Sequence, residues 1–193
     1  MGHSRAEKAE SRKRILDAAA TRIREVGMDS VSVNELMQSA NLTHGGFYGH
    51  FKSRSHLMVA ALEQALADGE AASAAHTGKR GSMTVKSIVN SYLSPTHRDN
   101  PATGCAIPTL GGEIGRADPE IRAVMAEQLK RSFKTMEEAL GQTGPDAKQF
   151  AVAAWSMMVG AMMISRVMAD DPEADRVLAL ARKSVLDLAE TYG

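Results

Sequence analysis

Apolar residues recur every three to four positions through almost the whole chain, the spacing of helices that bury one face. The first stripe is Ile15, Leu16, Ala19, Ile23 and Val26, with Ser11 placed to cap its start and Gly27 to stop it. A short helix is expected from Asn34 to Ala40, capped by Ser32 or Asn34. A tight turn follows at Asn41-Leu42, then a second short helix capped by Thr43 and running through His50. Ser53 opens a long helix from Arg54 to about Ala75, and Gly78, Gly81 and Ser82 mark a loop. Met83 to Leu93 reads as helical and Pro95 as its stop, with a polar loop over 95–104 and a helix beginning near Gly104-Cys105 and ending about Arg116. Asp118-Pro119-Glu120 and Asp171-Pro172-Glu173 are start signals for two more helices, to Leu140 and about Glu190. Between them Pro145-Asp146 opens an apolar helix through Met168. The pattern predicts an all-α protein of about nine helices without strands.

Composition agrees with helices. Hydrophobic residues are 44% of the 193, aromatics only 4%, and Met supplies 12. A core so poor in aromatics must be built from Ala, Leu, Val, Ile and Met. The net charge is zero, but it is unevenly spread. Residues 1–56 carry nine Lys/Arg against six acidic residues, leaving the remainder acidic by the same margin. A basic front end suits an anionic partner; a solvated helix face accounts for Arg12 to Arg24 almost as well. One Cys excludes an internal disulfide, which makes the reducing cytoplasm the expected compartment. Residues 1–14 are mostly charged or small, so no secretory leader is expected. The apolar run Phe150–Ser165 is shorter than the roughly 20 residues of a membrane span. A buried helix is expected there, and no membrane partner.

The most informative segment is Val31 to Phe51. Two short helices joined by a three- to four-residue turn are the layout of a helix-turn-helix, whose second helix enters the major groove of DNA. Leu36, Met37 and Ala40 supply one buried face and Leu42 a plug after the turn. Gly45 and Gly46 weaken the second helix by roughly 1 kcal/mol each, which close approach to another surface would justify. Phe47 and Phe51 read as core against Ile15, Ala19 and Leu36, and Lys52 and Arg54 as cations available to phosphates.

The run Gly46-Phe47-Tyr48-Gly49-His50-Phe51-Lys52-Ser53 resembles the signature at the end of the recognition helix in the TetR family, and the resemblance extends over residues 11–66. Asn41 stands where that family usually has Gly, and Leu36-Met37 where it often has Ile-Ala. Asn tolerates the left-handed turn, so the motif survives. The resemblance implies a DNA-binding domain over 1–56 and an effector-binding and dimerisation domain over 57–193. It implies a homodimeric repressor on a palindromic double-stranded operator, released by a small-molecule or reactive effector. Thr43, His44 and Gly45 then face bases or nearby phosphates, Tyr48, His50 and Lys52 reach the DNA backbone, and Ser32 and Asn34 sit at an anion-friendly helix start. His44, His50 and His56 recur every six residues, which does not place them on one helix face, so neither metal nor cofactor is expected.

In the family the last two long helices pair with their mates. The helix from Pro145, apolar almost all round, suits that role. Met125, Leu129, Phe133, Met136, Trp155, Met158 and Met162 line an effector pocket on this reading, or form ordinary core. Cys105 follows Gly104 in a segment resembling a cysteine-bearing, electrophile- and oxidant-sensing subgroup. A thiol at a helix N-terminus is expected to ionise more easily; the alternative is a small buried hydrophobe. Two other functions compete. A thiol redox enzyme would need a base beside Cys105, where only His97 is near in sequence and no second Cys exists to resolve an oxidised thiol; no enzyme is expected. A sequence-indifferent DNA binder would need more positive charge than this chain carries.

Overall fold

The computed structural model describes residues 5–77 and 83–192 and is helical throughout that range, with no strand among the described residues. The loop expected at Gly78, Gly81 and Ser82 lies outside the described residues. Nine α-helices and one 3₁₀ helix are described: α1 Arg5–Val26, α2 Val33–Ser39, the 3₁₀ helix His44–Gly49, α3 Arg54–Thr77, α4 Val85–Tyr92, α5 Pro95–Asp99, α6 Ile107–Ile114, α7 Pro119–Leu140, α8 Pro145–Val167 and α9 Glu173–Tyr192.

Four expectations need correcting. α1 is already helical at Arg5, the first described residue, so it does not start after Ser11. Good helix formers continue upstream, and Ser11 lies inside the helix, where its hydroxyl accepts from Arg14. The second short helix is 3₁₀ rather than α, and Thr43 makes no side-chain cap. Gly45, Gly46 and Gly49 weaken an α-helix of that length, and the tighter helix is a common short alternative. Pro95 opens α5 instead of leading into a loop: Ser94 accepts from the His97 amide at 3.2 Å and Pro95 takes the first helical turn, where its missing N–H is harmless. α6 starts at Ile107, so Cys105 precedes the helix rather than opening it.

Two apolar cores hold the chain together. The first joins α1, α2, the 3₁₀ helix and the front of α3 to α6 and the start of α7, through Ile15, Ile23, Met37, Phe51, Leu62, Leu110 and Ile121. The second joins α4, α7, α8 and α9, through Val89, Met136, Phe150, Met158 and Leu178. Cys105 and Val159 pack against both, so they mark the seam.

Polar bonds at the end of α1 tie the front of the molecule to the region before and within α6. Gly27 stops α1 in the left-handed conformation at φ +84°. The next amide, Met28 N–H, donates to the Glu113 carboxylate of α6 at 2.7 Å. That carboxylate occupies the space a Cβ on residue 27 would need. Gly27 is therefore required twice, by its dihedral and by its neighbour. Gly27→Ala is expected to lower unfolding free energy by about 1–3 kcal/mol, measured by urea denaturation. An unchanged midpoint and slope would show that the turn tolerates a side chain.

Candidate DNA-reading face and effector region

Ser32 caps α2, accepting from the Glu35 amide at 3.5 Å. Asn41 takes φ 57° in the turn, as its chemistry allows. The Leu42 amide closes that turn onto the Met37 carbonyl at 2.8 Å. Phe47 and Phe51 are buried in the first core with Ile15, Ala19 and Leu36, and their rings stack with centroids 5.8 Å apart. This anchors the 3₁₀ helix from below. Its other side is open: Thr43, His44 and Gly45 are exposed, and Tyr48 is 74% exposed although it is a large aromatic. Asn34 and Lys52 are also exposed, whereas His50 is half-buried. Thr43, His44, Gly45, Tyr48, His50 and Lys52 therefore lie on or next to one short segment, while Ser32 and Asn34 stand at the start of α2.

The glycines behave differently from one another. A Cβ on Gly46 would come within 3.7 Å of the Met37 methyl, so Met37 fills the room that Gly46 leaves. A Cβ on Gly45 or Gly49 would meet nothing within 4 Å. No packing inside this molecule requires glycine at those two positions.

Two cations depart from the sequence reading. Arg54, expected to be available to phosphates, donates instead to the Met28 carbonyl at 2.7 Å and the Val31 carbonyl at 3.4 Å. Arg12, which looked like part of a solvated face, lies over the Phe51 ring at 4.4 Å from its centroid. Only the spacing of α1 against the aromatic run could have signalled that contact.

The predicted effector residues divide between the two cores. Met125 is buried in the first, with Leu129 packed against it. Met136, Met158 and Met162 are fully buried in the second, with Phe133 and Trp155 packed at its side. Trp155 donates its indole N–H to the Ser132 carbonyl at 2.7 Å and meets the Tyr92 ring edge-on at 5.1 Å. Two clefts are described. One of about 590 Å³ lies between α1 and α2, and one of about 250 Å³ lies where α3 meets α6 and α7. Neither is lined by these residues.

Cys105 sits at the seam in a polar cluster. Its amide donates to His97 Nε2 at 3.0 Å, and His97 Nδ1 pairs with the Tyr92 carbonyl at 2.7 Å. A neutral ring protonated at Nδ1 satisfies both bonds. Burial holds the His97 pKa below the ordinary value, helped by the nearby Arg166 and opposed by the Tyr92 carbonyl. The Cys105 thiol departs from expectation. Burial pushes its pKa up, and the Ile107 amide, the Tyr92 hydroxyl and Arg166 pull the other way without overcoming it. At neutral pH the sulfur is therefore a neutral thiol. Alkylation by iodoacetamide is expected to be slower than for a free cysteine at pH 7.5. It should still be accelerating above the ordinary thiol range of about 8.5. A rate that levels off below pH 7 would mean a stabilised thiolate.

Comparison with known proteins places these features in a group. A family model described as "Bacterial regulatory proteins, tetR family" matches residues 15–61, and one described as "Tetracyclin repressor-like, C-terminal domain" matches residues 81–181. An uncharacterized HTH-type transcriptional regulator of Mycobacterium tuberculosis is 26% identical over 187 residues, covering 91% of this chain and 94% of the relative. The transcriptional regulator AcuR of Cereibacter sphaeroides is 24% identical over 174 residues, covering 79% and 75%. Among solved structures, a TetR-family regulator from Cytophaga hutchinsonii superposes with a TM-score of 0.78 at 19% identity, covering 99% of this chain and 98% of that one. The reduced form of Escherichia coli NemR gives 0.71 at 18% identity, covering 90% and 95%. These structural matches are to the fold.

Proposed function

Because the chain belongs to the TetR family of bacterial transcription regulators, we propose that it acts as a homodimeric repressor whose operator binding is relieved by an effector. The DNA-binding unit is assigned to residues 1–56 and the effector and dimer unit to 57–193. The observation that carries the reading is the open side of the 3₁₀ helix, where Gly45 and Gly49 face empty space beside exposed Thr43, His44 and Tyr48. Glycine that packing inside the molecule does not require is explained when an external surface comes close to the backbone. Duplex DNA is such a surface: the segment enters the major groove, and Tyr48, His50, Lys52, Ser32 and Asn34 hold the flanking phosphates.

Dimerisation is supported by the outer side of α8. Met157, Ile164 and Val167 recur at i, i+7 and i+10 on one face, with Gly160 between them, and Val167 is 88% exposed. α8 is long and apolar enough by length and composition to cross a membrane. Its other side is buried on the second core, through Phe150, Ala154, Met158 and Met162. A second copy of α8 covering the outer face accounts for its remaining apolarity. Leu180 of α9 is a further exposed large apolar residue, at 56%. An effector acting around Cys105, Met125, Leu129, Phe133, Trp155, Met158 and Met162 would work at or near the seam between the cores, and a reactive one would act on the Cys105 thiol itself.

Two experiments test this reading. Operator fragments are selected from random DNA with the wild-type protein, and affinities are then compared. Gly45→Ala is expected to leave stability within about 1 kcal/mol of wild type. It should weaken operator binding about tenfold or more, the scale of a lost groove contact. Full binding by that variant would remove the segment from the interface. Ile164→Glu is expected to sediment as a monomer; a dimer of undiminished affinity would place the interface elsewhere.

A further inference from the structure

The stripe of α1 that enters the first core changes character along its length. Ile15, Ala19 and Ile23 are fully buried. Continued toward the start of the helix at the same spacing, that stripe meets Arg12, Lys8 and Arg5. Positions where a longer core would place apolar side chains thus hold three cations. The acidic residues of the same stretch, Glu7 and Glu10, fall on the other side of the helix. Residues 5–10 are all exposed, and nothing from 5–14 joins either core. Two turns of α1 therefore project past the packed molecule, with positive charge sorted to the side on which the core lies.

Arg12 shows what that side faces. Its guanidinium lies over the Phe51 ring at 4.4 Å from the centroid. Phe51 stands two residues after the 3₁₀ helix and one before Lys52. Cations further along α1 are matched: Lys13 by Asp17, Arg14 by the Ser11 hydroxyl, Arg22 by Glu25 and Arg24 by Asp68. Arg12 has no acidic partner among the described residues, and its Nη1 is shielded from solvent without a hydrogen bond. A guanidinium oriented by an aromatic face and left with an unmet donor is prepared for an oxyanion. From Arg5 to Arg12 the stripe rises about 10 Å, the length of about three phosphates along one DNA strand.

We propose that the first two turns of α1 form a second DNA contact: Arg5, Lys8 and Arg12 follow the phosphate backbone beside the groove that the 3₁₀ helix enters, and Phe51 positions Arg12 for it. The proposal rests on the repressor reading and adds a surface ahead of residues 15–61, the part that the family model matches. Such a contact is blind to base sequence, so it raises affinity without choosing the operator.

The salt dependence of affinity for the selected operator tests it. Each lost phosphate contact flattens the slope of log K against log salt by about 0.9. Arg5→Gln/Lys8→Gln, at two exposed positions, is expected to keep the wild-type circular dichroism spectrum and to flatten the slope by about 2. Arg14→Gln, on the opposite side of the helix, is expected to leave the slope unchanged. A wild-type slope in the double variant, or an equal flattening per charge in Arg14→Gln, overturns the proposal while leaving base recognition intact. Arg12→Lys keeps the charge and loses the planar stack. It should retain the wild-type slope and bind about threefold more weakly; undiminished affinity overturns the role given to Phe51. A wild-type protein that selects no sequence sinks the repressor reading, and the same slopes read on random-sequence duplex still decide the α1 contact.

Discussion

The stacking of Phe47 on Phe51 beneath a six-residue 3₁₀ helix is the interaction on which the front of the molecule depends. A segment with three glycines in six positions has little helical stability of its own. It holds its shape because two aromatic side chains are driven into a core shared with α1 and α2. That single constraint sorts the side chains around it. Residues between the two rings that are not needed for packing are pushed outward, which leaves Tyr48 exposed and Gly49 facing open space. The same burial gives Arg12 an aromatic face to lie on.

Behind this anchor the protein is built as two cores rather than one, and the seam between them is polar as well as apolar. Cys105 touches both cores, while His97 staples its amide to the end of α4. Arginines span the seam because each can satisfy several main-chain carbonyls at once with a planar, multi-donor head. Arg24 holds two carbonyls from α1 and Arg166 two from α8, and Arg182 of α9 holds that of Leu93. Buried carbonyls near helix ends would otherwise lack partners, at about 1–3 kcal/mol each. These bonds satisfy main-chain carbonyls of the segment around Cys105, whose thiol is made less acidic by burial.

The chain alone determined the helical architecture, the turn at Asn41, the stop at Gly27, and the short exposed segment after the turn. Each of these follows from local rules: periodicity, capping chemistry and the tolerance of Asn and Gly for positive φ. Gly46-Phe47-Tyr48-Gly49-His50-Phe51 was legible for the same reason, since its meaning lies within a few residues. Only tertiary structure decided which arginines face inward and that burial raises the Cys105 pKa where a helix start was expected to lower it. Those outcomes depend on partners 40 or more positions away, as when Arg24 meets Asp68, 44 residues on, and Ala102, 78 residues on. Desolvation is a property of such long-range packing. No pattern within one helix records it.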